Sequence, residues 1–396
     1  MRRLPREWSD ALRWGAVAWL VSRVAMVIAS YFAVLLPKQD SAALVSNPID
    51  AFVTAWMKWD AGWYVDIASH GYARIAGTAF FPLYPALSHG LYTVLPFLSP
   101  LVAALIVSNL ALLAALVLLV RLADHEFGDQ VGRRAAFLLL AYPGAFFLTS
   151  AYPEGLLLAF MLAAFLAARS HHWLAAGAAA AAATLTAAPG AVLGFPLFIE
   201  YLRTLPRNRA GLQARGFRWD DLRALGMLTL IPLALAGFAL YMRAITGNAL
   251  QFLTAQHDYF QRETGFLWGI PLGLSRLYHL PFTSFAGARN LLDLVPIFLA
   301  AVVLVLAIRL LPVSYSVFVA ILLVLNLSEP RIDLHSGQNL WPLQSDLRQV
   351  LNMFPLFMAI GVWAQRWPIL QNALIYVWLP LQGILILQYL QGFWII

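Results

Sequence analysis

The sequence predicts an all-α polytopic membrane protein, and three observations carry that prediction. Apolar runs of the ~20 residues needed to cross a bilayer recur from end to end of its 396 residues. Only 11% of the residues are charged while 61% are hydrophobic, whereas soluble chains average about 25% charged. The Lys and Arg residues gather in short segments beside the apolar runs, where such residues set topology.

The first run follows a charged start, "MRRLPREWSDALRW". It is too long for the apolar region of a signal peptide, and no small-x-small pattern precedes the next polar segment, so 14–36 is expected to be an uncleaved span. Further spans are expected at 100–121, 135–150, 153–169, 173–187, 189–202, 224–245, 291–309, 312–327, 350–365 and 369–392. That makes about eleven in a single membrane domain, 1–396. Pro189-Gly190 interrupts the pair 173–202, which is either one kinked helix or two short ones. Segment 80–98 is expected to be re-entrant or interfacial.

Placing the N-terminus in the cytoplasm puts the greater share of Lys and Arg on the inner side. The basic stretch 203–223 then becomes a cytoplasmic connector, and 37–99, 246–290 and 328–349 become outer loops rich in aromatic, amide and acidic residues. Chemistry is therefore expected on the extracytoplasmic face. The net charge of +7 suits topology signals and anionic membrane lipid better than nucleic acid. With no Cys there is no disulfide framework, thiolate metal site or cysteine nucleophile. The eight His are scattered with no helical pairing to acids, so no metal is predicted. No glycine loop suited to phosphate appears, which argues against nucleotide sugars or ATP.

The first outer loop holds "SNPIDAFVTAWMKWDAGWYVDIASHGY". Asn47 as N-cap, Pro48 at the first helical position and Gly71 as the stop predict one continuous amphipathic helix. On it, Trp56, Asp60, Trp63, Tyr64 and Ile67 share a face. A carboxylate on an aromatic face is costly unless it is paired or used. Either Asp60 pairs with Lys58 or a nearby Arg and orients the loop, or it does chemistry. Asp66 falls elsewhere on the wheel, as a solvated or structural acid. Glu154 in "AYPEG" is either a carboxylate at a helix start or part of an acceptor site. In "AQHDYFQRETGFLW", His257, Asp258, Arg262 and Glu263 are either solvated charges or contacts to acceptor or phosphate. Arg23, inside the first span, needs a partner or an aqueous path, and a structural ion pair is expected.

"KWDAGWYVDIASHGY…AFFPLYPAL" resembles the W-D-x-x-W/Y-Y-x-x-I-A-x-x-G-Y…F-F-P-x-x-P pattern of the PIG-V-like mannosyltransferases, carried by Trp59, Asp60, Tyr64, Ile67, Ala68, Gly71, Tyr72, Phe80, Phe81, Pro82 and Pro85. "LTSAYPEGLLLAF" is similar to the family's second block through Ser150, Tyr152 and Glu154, and "QSDLRQVLNMFPLF" to its late block through Arg348. In the middle of the chain "TLTAAPG" departs from the family's Thr-Arg: if Thr186 matches the threonine, Ala187 stands in place of the arginine.

The resemblance implies a GT-C type glycosyltransferase in a bacterial inner membrane, acting without a cofactor. Its donor would be a polyprenyl-phosphate sugar, most simply mannose, and its acceptor a glycolipid, glycan or protein. Asp60 occupies the place of the family's outer-loop acid and would be the base of an inverting transfer. The leaving phosphate would be met by Arg348, or by Arg331 or Arg262. Trp59, Trp63, Tyr64 and Tyr72 would shape the sugar pocket, with Tyr152, Glu154, His257 and Asp258 as further substrate contacts. The rival functions are a lipid or solute transporter and a non-catalytic partner subunit of the same fold. Against the first, the one clear helix break is "TAAPG", where a transporter breaks helices in both halves.

Overall fold

The computed structural model describes residues 5–35, 48–206, 219–332 and 341–393. The N-cap expected at Asn47, residues 207–218 of the basic connector and residues 333–340 of the last outer loop lie outside them. Helices make up the fold, as the apolar periodicity predicts. The one bridge between extended residues among those described joins Arg262 to Arg331.

The chain opens with α1 (Arg6–Leu35), then runs through the short helices α2 (Pro48–Thr54), α3 (Asp60–His70) and α4 (Leu83–Val94) into α5 (Pro100–Phe127). Ser99 caps α5 by accepting from the Val102 N–H, with Pro100 at the first helical position. Next come α6 (Val131–Ala141), α7 (Glu154–Arg169), α8 (Trp173–Thr186) and α9 (Gly194–Arg203). Beyond the connector lie α10 (Trp219–Leu228), α11 (Leu230–Thr246), α12 (Gln251–Phe260), α13 (Gly269–His279), α14 (Phe285–Ala307) and α15 (Val313–Ser328). The chain ends with α16 (Asp346–Gln349), α17 (Phe354–Arg366) and α18 (Pro368–Leu390).

Helix α7 lies at the centre, packed against α5 and the Ala-rich α8, while α1 lies along α5 and α17 along α6. Small residues let these backbones approach closely, the usual basis of helix packing in lipid. Outer helices leave large apolar side chains exposed, such as Leu20, Val24 and Ile28 of α1, which a bilayer would cover.

Among the described residues five helices are long and apolar enough to cross a membrane: Arg6–Ala33, Pro100–Phe127, Asp221–Thr246, Phe285–Ala307 and Pro368–Leu390. A sixth follows if Asp346–Asn352 and Phe354–Arg366, bent by 74°, count as one span. Several spans expected from hydropathy are shorter helices. The one expected over 135–150 stops at Ala141, where Tyr142-Pro143-Gly144 cannot continue it. There Gln382 of α18 donates to the carbonyls of Leu140 and Tyr142 at 2.9 and 2.8 Å. The pair at 173–202 forms two helices separated by a 3-10 turn, Ala188–Leu193, at the Pro-Gly break. Arg23 also differs from expectation. Its guanidinium donates to Asn109 Oδ1 and, at 2.8 Å, to Thr149 Oγ1, so neutral acceptors rather than an acid hold it.

Candidate active site

The predicted continuous helix over 47–71 is two helices. Trp56 is only 4% exposed: its Nε1 donates to Ser30 Oγ at 3.1 Å, and its carbonyl accepts from Tyr389 Oη at 3.3 Å. Burying this indole against α1 and α18 outweighs continuing the helix. The chain turns through Trp59, whose φ of 54° is in the left-handed region. A non-glycine residue there is strained by on the order of 1–3 kcal/mol. The turn makes Asp60 the first residue of α3, where unpaired N–H groups and the helix dipole favour a carboxylate. Gly71 ends α3 as expected, at φ 66°. Asp66 is a structural acid, held by Arg74 Nε at 2.9 Å and His70 at 3.0 Å.

Glu154 begins α7, directly after Pro153. It is held close to α5 because Gly155 has no side chain: a Cβ there would meet the Ser108 carbonyl at 3.0 Å. Ser108 also donates to the Tyr152 carbonyl at 2.8 Å, fixing the chain just before the helix. Arg348 comes from α16, a single turn between Ser345, at φ 78°, and the bend into α17.

These three segments converge. Arg348 Nη1 donates to Asp60 Oδ2 at 2.8 Å, and Arg348 Nε lies 3.2 Å from Glu154 Oε1. The guanidinium rests over the Tyr152 ring, 5.3 Å from its centroid. One cation thus bridges two carboxylates from different helices. Of the pair, Asp60 is the more open, its side chain 29% exposed against 8% for Glu154. Asp60 Oδ1 takes no hydrogen bond among the described residues.

The bridge forms part of the wall of a cavity of about 1020 Å³. That is at the upper end of the range for ligand sites, about 300–1,000 Å³. Trp59, Trp63 and Tyr64 also line it, with Trp63 stacked on Phe80. His257 and Asp258 sit at its edge, where His257 Nδ1 lies 2.8 Å from Asp258 Oδ1 and Nε2 lies 3.1 Å from Glu263 Oε1. The hydrogen bond to Asp258, reinforced by the charge of Glu263, raises the His257 pKa. Arg262 and Arg331 line the cavity through differently engaged guanidinium groups. Arg262 donates to the carbonyls of Glu329 and Gln344, whereas Arg331 donates to the amide oxygens of Gln261 and Gln344.

Two expected substrate contacts are absent from the wall. Tyr72 packs against Phe238 and Tyr241 and donates to the Phe80 carbonyl at 2.8 Å, so it braces the motif from outside. Tyr152 is 1% exposed and lies beneath Arg348, its hydroxyl donating to the Lys58 carbonyl. Ala187 does line the cavity. If Thr186 matches the family's threonine, the place of the family's arginine faces the site with a methyl group.

Sequence reasoning missed Asp346, Gln349 and Asn352, which also line the cavity. Their signal was present in "QSDLRQVLN", where they recur at intervals of three on one side of a tight helical turn while Arg348 falls on another. Among the described residues no group of three or more His, Cys, Asp or Glu is placed to hold a metal ion.

Residues 19–197 match the family model of mannosyltransferase (PIG-V). This stretch contains the Trp59-Asp60 motif and Glu154, and it ends before Arg348. No curated protein sequence matches the chain. Among solved structures, the chain is similar to ArnT from Cupriavidus metallidurans bound to undecaprenyl phosphate, with 17% identity, a TM-score of 0.48, and coverage of 87% of this chain and 60% of that one. It is also similar to the Archaeoglobus fulgidus oligosaccharyltransferase in complex with Zn and sulfate, with 12% identity, a TM-score of 0.39, and coverage of 93% and 53%. The chain thus spans about 60% of the length of the first of these proteins.

Proposed function

We propose that this chain is a GT-C type membrane glycosyltransferase that moves mannose from a polyprenyl-phosphate donor to an acceptor hydroxyl on the extracytoplasmic side. The observation that carries this reading is the Asp60–Arg348–Glu154 bridge on the cavity wall, because it joins the three segments whose motifs resemble the mannosyltransferase family. The match of residues 19–197 to the family model supports it independently of the geometry.

In this mechanism the acceptor oxygen attacks the anomeric carbon from the face opposite the phosphate. The new C–O bond forms as the bond from that carbon to the phosphate oxygen breaks, inverting the configuration. The hydroxyl proton passes to Asp60, and polyprenyl phosphate leaves with the bonding electrons. Arg348 holds Asp60 Oδ2, which presents Oδ1 to the acceptor. Arg348 is therefore a positioning residue for the base first, since two carboxylates already occupy it. The departing phosphate is better met by Arg331, whose partners include the neutral side-chain amides of Gln261 and Gln344, which a charged group can displace. Arg262, tied to two backbone carbonyls, braces the loop. The lipid tail would remain in the bilayer of the inner membrane.

The test is sugar transfer by the purified protein from radiolabelled polyprenyl-phosphate mannose to a membrane glycolipid extract. Asp60→Asn, folded as judged by its unfolding temperature, should lose about 10²–10⁴-fold in rate. Equal rates for the native protein and the Asp60→Asn variant would remove Asp60 as the base, and no transfer by the native chain would overturn the reading.

A further inference from the structure

The lining of the cavity combines donors with unsatisfied acceptors. Arg331 and Arg262 supply donors to it. Three other residues that line it each carry a buried acceptor oxygen that has no donor. Asp346 Oδ2, Asn352 Oδ1 and Glu154 Oε2 are each shielded from solvent without a hydrogen-bond partner. Their residues are 3%, 2% and 6% exposed, and all three line the cavity. Asn352 spends its amide N–H on Gln349 Oε1 at 3.1 Å, which leaves its carbonyl as an acceptor. The α16 turn is anchored behind this wall, where the Leu347 N–H donates to Asp293 Oδ1 at 3.4 Å.

Buried acceptors without donors are rare in folded proteins and costly to keep. Acceptor oxygens without donors do not suit a phosphate, whose oxygens only accept. They suit a neutral ligand that presents several O–H donors on one rigid frame. We propose that Asp346, Asn352 and Glu154 form the subsite that binds the ring hydroxyls of the transferred hexose. This rests on the glycosyltransferase reading and adds which wall takes the sugar. The sugar ring would lie against α16 and the start of α7, and its phosphate would point toward Arg331. Specificity follows from the same groups: a sugar lacking one of the recognised hydroxyls leaves a buried acceptor unpaired and is rejected.

The experiment measures binding of a short-chain polyprenyl-phosphate mannose and its monodeoxy analogues to the full chain in detergent, by quenching of Trp fluorescence. Native protein should bind at least one analogue about tenfold or more weakly than the parent. Asp346→Ala, and the nearly isosteric Asn352→Leu as a second variant, should bind the parent that weakly and show no further loss with the matching analogue. Unfolding temperatures confirm that the variants are folded. Native protein that binds the parent and every analogue equally, or variants whose losses simply add to those of the analogues, would overturn the subsite while leaving the transfer reaction intact. Binding abolished by EDTA would assign these acceptors to a cation and also overturn it. Native protein that binds no lipid-linked mannose would overturn the glycosyltransferase reading and the subsite with it.

Discussion

Arg348 is the side chain on which the candidate site turns, because it bridges acids brought from α3 and α7. A cation between two carboxylates in a partly buried setting is worth less as a net attraction than as a safeguard against leaving the acids facing each other. Arg348→Met should therefore destabilise the protein by about 3–5 kcal/mol, the cost of breaking a buried ion pair from one side. Adding Glu154→Gln should restore part of that loss, since one uncompensated charge then disappears. Transfer should stay low in both variants, because Asp60 keeps no partner to orient it. Denaturant unfolding with the transfer assay checks this, and additive losses in the double variant would show that the bridge does not couple the two residues.

The helices explain how much of this was legible in the sequence. Gly71 as the stop of α3, Glu154 at the start of α7 with Ser150 and Tyr152 just before it, and Arg348 before Phe354-Pro355 are local patterns that the sequence shows directly. The break before Asp60 was not legible. The partners that hold Trp56 in the core are 26 and 333 residues away, and no helix wheel contains them. Tyr72 was expected on the pocket wall and Asp346 was overlooked for the same reason: whether an aromatic or an acid faces a cavity depends on distant neighbours. The break itself makes a prediction at this scale. Trp56→Leu should cost roughly 3 kcal/mol or more through the lost packing. If the buried indole sets where α3 begins, transfer should also fall under conditions where the variant remains fully folded. A variant with lowered unfolding temperature and native transfer would mean that the turn at Trp59 positions Asp60 unaided.

Across the described residues, the polar groups of the candidate site are gathered into one cavity while outer helices such as α1 present apolar side chains outward. This division is what a bilayer imposes, since lipid covers exposed Leu, Val and Ile at no cost and penalises exposed charge. Helix α1 makes the point within a few residues. Ala18, fully buried, and Met26, 5% exposed, face the protein, and Val24, 54% exposed, faces away. Arg23 beside it is turned inward onto Asn109 and Thr149. Val24→Arg would place a guanidinium on the outward face, away from the acceptors that hold Arg23. If lipid surrounds that face, the substitution should weaken insertion of α1 by about 2.5–3.5 kcal/mol when the site lies near the bilayer centre. Val24→Leu should leave insertion unchanged. A glycosylation-mapping insertion assay on α1 in microsomes reads the difference directly. Efficient insertion of both variants would mean that the outward face of α1 meets water or another protein surface instead of acyl chains, and the membrane boundary would then have to be redrawn around the remaining spans.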